Sequence, residues 1–451
     1  MESIFDTEHL QRSYFKMAFP IVLGMVVSLV YNLADTFFIS QTGDTNLIAG
    51  VSLCSPVFTT LMAFGNVFGQ GGSSLISRLM GEKDMNGTAR VSSFCFYVSI
   101  ATGVVLAIVM TAFNKPLLAL LGANDETIPH ALSYYTVLSV CSPIVVLSFI
   151  HSNLVRCEGM ANESMIGSIL GSVVNIILDP ILISVCGMGA FGAAVATIIG
   201  YLSSVVYFLF VLKKKSHCLS VKPSDCRVNA QEVKQICGVG ITAALSNLMQ
   251  SMAVIVVNQY LLPYGNDKIA AMGIVLKISM IVLLILTGFA FGGVPIFGYL
   301  YGAGQVKELK KLIRFCLIFL SALSLALTAI ICLFAQPLMS IFLSDSALIA
   351  TGVVMLRWQA ATSVFAGIVL LLTVLFQATG KIVPSFIMSI SRQGVVFLLA
   401  IVVCVNLFAY NGVLMAQAVA DVLSAILALV LLVFFSPMKG MKENASADKI
   451  Q

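Results

Sequence analysis

Apolar windows of about twenty residues, separated by short polar or Gly/Pro-rich stretches, recur along all 451 residues of the chain. An α-helix rises about 1.5 Å per residue, so about twenty apolar residues cross the roughly 30 Å hydrocarbon core of a bilayer. The pattern predicts twelve transmembrane helices, over residues 14–40, 46–70, 91–113, 130–153, 162–184, 189–212, 232–262, 267–291, 308–334, 348–376, 382–405 and 411–436. Charge sits in the punctuation. Arg12, Lys16, Arg78, Lys83, Arg90, Arg156, the Lys213–Lys215 run, Lys222, Arg227, Lys234, Lys307, Lys310, Lys311, Arg314, Lys381, Lys439, Lys442 and Lys449 fall on one side, and only Lys115 and Lys268 on the other. The positive-inside rule then expects both termini, and the linker between the two halves, in the cytoplasm.

The pattern also repeats. At an offset of 221 residues, Gly71-Gly72 fall on Gly292-Gly293, Gly81 on Gly302, Phe94-Cys95 on Phe315-Cys316, Pro116-Leu117 on Pro337-Leu338 and Gly159 on Gly380. Leu-rich helices align by chance, but chance rarely keeps glycine and proline in register through several loops. Six helices per repeat is an even number, so both halves enter the membrane from the same side. The expected fold is an all-α polytopic membrane protein with two six-helix pseudo-symmetric lobes around a central cavity. Its expected divisions are an N-lobe over 1–212, a cytoplasmic linker over 213–230, and a C-lobe over 231–451 ending in a short tail.

Composition agrees with this reading: 59% of residues are hydrophobic and 10% charged, too few polar groups to cover a water-soluble surface. The net charge of +5 is spread over loops with no basic run interleaved with aromatics, so no nucleic-acid partner is expected. Met1–Ser13 lacks the features of a signal peptide, and the first apolar run is expected to remain as helix 1. Most of the eleven cysteines lie in apolar runs, where they act as small hydrophobes; Cys218 and Cys226 in the linker match no metal-ligand spacing. GQGGSS at Gly69–Ser74 lacks the Gly-Lys-Ser/Thr that would make it a phosphate loop. ATP hydrolysis is not expected, which leaves an ion gradient as the energy source.

Two carboxylates break the apolar runs. Asp35 lies within PIVLGMVVSLVYNLADTFFIS, one helical turn after Asn32, and Asp179 within NIILDPILI, next to Pro180. An ionised carboxylate near the centre of such a helix costs roughly 3 kcal/mol, more than membrane hydrogen bonds of well under 1 to 2 kcal/mol return. Each acid lies five positions before the end of an outward-running helix, so the two share a level. Asn175 is four residues before Asp179 on the same helix face, and Thr197 on helix 6 reaches a similar depth. These four side chains offer hard oxygen ligands that suit Na⁺ as well as a shared proton. Pro180 frees the carbonyl of Ile176 from its helical bond.

The second half differs. Lys277, Arg357, Arg392 and Asp421 all reach the midplane, and pairing of Asp421 with Lys277 or Arg357 is the economical expectation. The remaining bases, with Asn32, Asn247 and Gln250, and with Asn258 on weaker grounds, are candidates to line a substrate cavity or gate it.

Taken together, YNLADTFFIS at Tyr31–Ser40, GQGGSSLISRLMGEKD at Gly69–Asp84, and NIILDPILI followed by GMGAFGAAVATIIG up to Gly200 resemble the multidrug and toxic compound extrusion (MATE) family, in its bacterial MepA-like branch. The resemblance implies a transporter in the bacterial cytoplasmic membrane, not an enzyme, exporting amphiphilic, mostly cationic organic compounds in exchange for Na⁺ or H⁺. It implies no cofactor beyond the coupling ion, and a monomer is expected. By position it carries the family's first-lobe cation site onto Asp35, Asn175, Asp179 and Thr197. Pro20, Gly24 and Pro180 are the expected hinges. Two alternatives stay open: a flippase for a lipid-linked sugar, drawing on Lys277, Arg357 and Arg392, and an intramembrane enzyme using an Asp pair.

Overall fold

The computed structural model describes residues 8–343 and 345–438, all of whose regular elements are helices. Lys439, Lys442 and Lys449 of the charge pattern lie outside the described residues. Nine helices among the described residues are long and apolar enough to span a membrane, and two further helix pairs pass the same test as bent spans. The last of the nine, Ile382–Phe434, runs 53 residues and is broken at Ala409, whose φ of 49° no L-residue in a continuing helix adopts. Splitting it there gives twelve spans.

In chain order they are α1 (Leu10–Ser40), α2 (Thr45–Gly81), α3 (Met85–Ala112), α4 (Ile128–Val140 with Ser142–Cys157, bent by 57°), α5 (Ala161–Val185), α6 (Gly189–Lys214), α7 (Ala230–Tyr264), α8 (Asp267–Gly302), α9 (Val306–Leu333), α10 (Ser346–Ala361 with Ser363–Ala378, bent by 40°), α11 (382–408) and α12 (410–434). The expected end of helix 2 at residue 70 is a correction. Gly69–Ser74 is helix interior, and α2 continues to Gly81. Glycine there serves packing: a Cβ on Gly71 would lie 2.0 Å from the Ile236 carbonyl oxygen, and one on Gly240 1.8 Å from that of Val67. The α2 and α7 backbones touch at these two places.

By packing, the chain forms two units. Among the described residues, the first holds Leu23–Gly240; the second holds residues 8–22 together with residues 241–438. Both α1 and α7 are therefore shared, each helix passing from one unit into the other. In the second unit the Tyr14 hydroxyl donates to the Phe289 carbonyl at 2.7 Å, and the Tyr14, Phe15, Phe289, Phe315 and Phe319 rings pack edge to face. In the first unit the segment after Lys215 is laced onto α3: the Ser92, Ser93 and Tyr97 hydroxyls donate to the carbonyls of Ser220, Lys222 and Val221. All eleven cysteines are free thiols.

Candidate functional site

One stripe of α5 sets up the site in the first unit. Gly167, Gly171, Asn175 and Asp179 follow each other at four-residue steps, which keeps them on one face of the helix. The two glycines let α6 approach: a Cβ on Gly171 would lie 2.2 Å from Ser204 Oγ, and one on Gly200 2.6 Å from the Gly171 carbonyl oxygen. Such small-residue seams are how membrane helices pack backbone to backbone. Ser204 Oγ closes the seam by donating to the Gly167 carbonyl at 2.8 Å. Continued by one turn, the seam places Asn175 against Thr197, and one turn further on α5 lies Asp179.

Asn175, Asp179 and Thr197 are 2%, 0% and 2% exposed. Asn175 Nδ2 donates to Asp179 Oδ1 at 3.3 Å and to Thr197 Oγ1 at 3.4 Å, and the Thr197 hydroxyl donates to the Ala193 carbonyl at 2.9 Å. Asp35, brought in on α1, interacts side chain to side chain with Asp179. The Asn175 amide and the Thr197 hydroxyl have then placed their donors. Asp35 Oδ1, Asp179 Oδ2 and Asn175 Oδ1 are buried acceptors with no hydrogen-bond partner. Three unpartnered oxygens, two of them on carboxylates, suit a proton or a small hard cation. After Pro180 the α5 backbone widens into a π-helical turn over Ile181–Val185, the irregularity that proline's missing N–H permits.

Three tyrosines that the sequence reading did not select surround this cluster. Tyr31 and Tyr134 reach the Thr197 side chain, and Tyr31, Tyr134 and Tyr201 all stand within electrostatic range of Asp35. Two of them carry a local signal, because Tyr31 precedes Asp35 by four residues and Tyr201 follows Thr197 by four, which sets each pair on one helix face. Asn32, by contrast, is exposed, and its amide donates to the Ser28 carbonyl of its own helix at 2.7 Å. It takes no part in the cluster.

In the second unit the expected partner of Asp421 is corrected. Neither Lys277 nor Arg357 pairs with it; Arg392 Nε does, at 2.8 Å, with the Arg392 side chain 13% and the Asp421 side chain 3% exposed. Gln417 Nε2 and the Thr362 hydroxyl complete the shell of Asp421 at 2.9 and 3.1 Å. Arg392 comes into reach because it lies on a π-helical turn, Ser391–Val395, that re-aims the residues of α11. Gln250, Asn258, Lys277, Arg392 and Asp421 line one cavity of this unit, joined by Gln359 and Gln393, which the sequence reading missed. Asn247 and Arg357 do not line it. The cationic trio that a pyrophosphate flippase would need is thus not assembled around this cavity. No group of three His, Cys, Asp or Glu able to hold a metal ion occurs among the described residues.

The MatE family model matches residues 20–181 and 242–405, one match in each half of the chain and together well over half of it. The chain belongs to the MatE family. It is similar to the multidrug export protein MepA of Staphylococcus aureus strain N315, at 30% identity over 434 residues, covering 95% of this chain and 94% of that protein. The MepA of Staphylococcus saprophyticus is 31% identical over 448 residues, covering 99% and 97%. A crystal structure of MATE in the bent conformation superposes with a TM-score of 0.90 at 26% identity, covering 97% of each chain. MatE proteins are multidrug efflux transporters, so the chain is a multi-span membrane transporter and the intramembrane-enzyme alternative falls.

Proposed function

We propose that this MatE protein is an antiporter that exports amphiphilic, mostly cationic organic compounds across the bacterial cytoplasmic membrane in exchange for Na⁺ or H⁺. Its coupling site is Asp35, Asn175, Asp179 and Thr197. The observation that carries this reading is the set of three buried, partnerless oxygens on Asp35, Asn175 and Asp179. As glue between helices they would leave two carboxylates costing about 3 kcal/mol each when ionised, with too few hydrogen bonds to offset them. A visiting cation or proton removes that cost.

Alternating access follows from what occupancy changes. With the site loaded, the acids cease to repel one another and α1 is held against α5 through Asp35. With it empty, repulsion between the acids favours a different placement of α1. Because α1 also belongs to the second unit, the state of the acid pair is passed along a single helix. Linkage makes the coupling reciprocal: a cation that weakens drug binding has its own affinity weakened by the drug, by the same factor. Arg90 pairs with Glu232 at 3.2 Å, so the α2–α3 loop region and the start of α7 share one end of the first unit. We place that basic end, both termini and the segment over residues 213–230 in the cytoplasm.

The test is efflux of ethidium from proteoliposomes under separately imposed sodium and pH gradients. One gradient should drive export in the wild type. Asp35→Asn and Asp179→Asn should each lower the driven rate by at least about tenfold, within the range of ordinary coupling energies, while inserting in the membrane normally. Undiminished efflux in both variants would remove this mechanism.

A further inference from the structure

The cavity in the second unit has a volume of about 420 Å³, a size that suits a small organic ligand. Much of its wall is apolar, as with Leu276, Leu283 and Leu286. Against that background its charges do not balance. Two bases, Lys277 and Arg392, meet one acid, Asp421. Asp421 Oδ1 accepts from Arg392 and Gln417, and Oδ2 from Thr362. Lys277 forms no ion pair or hydrogen bond with Asp421 or with any other described residue. The neighbouring carboxamides of Gln250, Asn258 and Gln393 likewise make no hydrogen bond among the described residues, and Ser279 Oγ, also on this wall, is buried without a partner.

Lys277 is exposed at this cavity, and an unpaired ionisable group within a membrane span marks function by default. Here it stands among uncommitted N–H and O–H donors, beside an apolar wall. We propose that this cavity binds the anionic group of an amphiphile, a carboxylate or an anion of similar size, with Lys277 as the charge that meets it. The apolar wall takes the body of the molecule. The proposal rests on the reading that the chain exports small organic compounds, and it narrows their class: a transported molecule carries a negative group beside any positive one, so zwitterions are favoured over simple cations. Asp421 has a separate part, holding the Arg392 guanidinium by its Nε edge so that the cavity keeps one net positive charge rather than two.

The chain supplies its own reporter, because Trp358 is its one tryptophan and directly precedes Gln359 of the cavity wall. Quenching of Trp358 in the purified full-length protein is measured with 4-nitrobenzoate, 4-nitrobenzamide and 4-nitrobenzylammonium, three probes of similar size and charge −1, 0 and +1. The carboxylate should quench saturably, with an affinity at least about tenfold above the other two, as a charge-assisted contact gives. Lys277→Gln should erase that preference and Lys277→Arg keep it. The proposal is overturned if the wild-type protein binds the amide or the ammonium as well as the carboxylate, a comparison that needs no variant to fold, or if the preference survives in Lys277→Gln. Failure of the export reading is separable. A wild-type protein that prefers the carboxylate yet shows no gradient-driven efflux keeps the anion site and loses the antiporter. One that exports ethidium without any carboxylate preference does the reverse.

Discussion

Three carboxylates of the first unit each leave one buried oxygen without a partner, Asp35 Oδ1, Asp179 Oδ2 and Glu158 Oε2, and Glu158 differs in what its other oxygen holds. At Glu158, which is 5% exposed, Oε1 accepts the backbone N–H groups of His217 and Cys218 at 2.7 and 3.0 Å and so ties down the segment that leaves α6. Burial first, then the neighbouring Glu158 charge and its hydrogen bond, push the Cys218 thiol up to about 11. Only the thiolate reacts with a maleimide. Cys218 should therefore label slowly at pH 7, and its rate should climb about tenfold per pH unit up to pH 10 instead of levelling near 8.5 as a free thiol does. Glu158→Gln removes the charge from both backbone bonds, each worth about 1.5–3 kcal/mol when charged. Labelling of Cys218 at pH 7 should rise by about fivefold or more, read by mass spectrometry of the modified peptide. An unchanged rate would mean that Glu158 does not hold this segment.

Among the elements, glycine separates contacts that carry the fold from places where the chain has room. Gly71→Ala pushes a methyl into the Ile236 carbonyl, where only backbone can give way. Overpacking of this kind costs about 1–3 kcal/mol, and the variant should melt several degrees lower in detergent, as followed by fluorescence-detected size exclusion. Gly273, on α8 at the second-unit cavity, has no heavy atom within 4 Å of a built Cβ. Gly273→Ala should keep or raise the melting temperature, since alanine favours a helix by about 1 kcal/mol. Equal losses in both variants would show that the α2–α7 approach is not what Gly71 serves. The same glycines explain what sequence could convey. Depth along a helix follows from counting residues, so Asp35, Asn175, Asp179 and Thr197 group by sequence position alone. Direction around a helix does not follow when a π-turn intervenes, so Asp421 could not be matched to Arg392 among three bases at one depth. Gly69–Ser74 looks like punctuation in one dimension and is a helix-packing surface in three. Gln417, which the sequence reading did not select, lies one turn before Asp421 on the same face.

For the molecule as a whole, α1 is one of the two helices that pass from one unit into the other, and the one that carries Asp35. Its first turns, up to Val22, are locked into the second unit by the Tyr14 hydroxyl and by Gly288 and Gly292, which lie against Val22 and Ala18. Asp35 lies thirteen residues beyond Val22, about 20 Å along the axis. The helix runs unbroken through Pro20, which cannot bond to the Lys16 carbonyl, and Gly24, the most permissive residue in this stretch. Under the antiporter reading, these two positions are where α1 bends when the acid pair changes its occupancy. Gly24→Ala tests this cleanly, because a Cβ there would meet only Met165 at 3.8–3.9 Å, an ordinary contact. The added methyl should leave the fold intact or slightly more stable. It should also disfavour a bent α1 by about 1 kcal/mol, roughly fivefold in population. Gradient-driven efflux should slow by a similar factor while cation binding at Asp35 is preserved, and the carboxylate preference of the second-unit cavity should not change. Pro20→Ala, which restores the bond to Lys16, should act in the same direction. Full-speed efflux in both variants would show that α1 carries the signal without bending, and would move the hinge to the π-helical turn that follows Pro180.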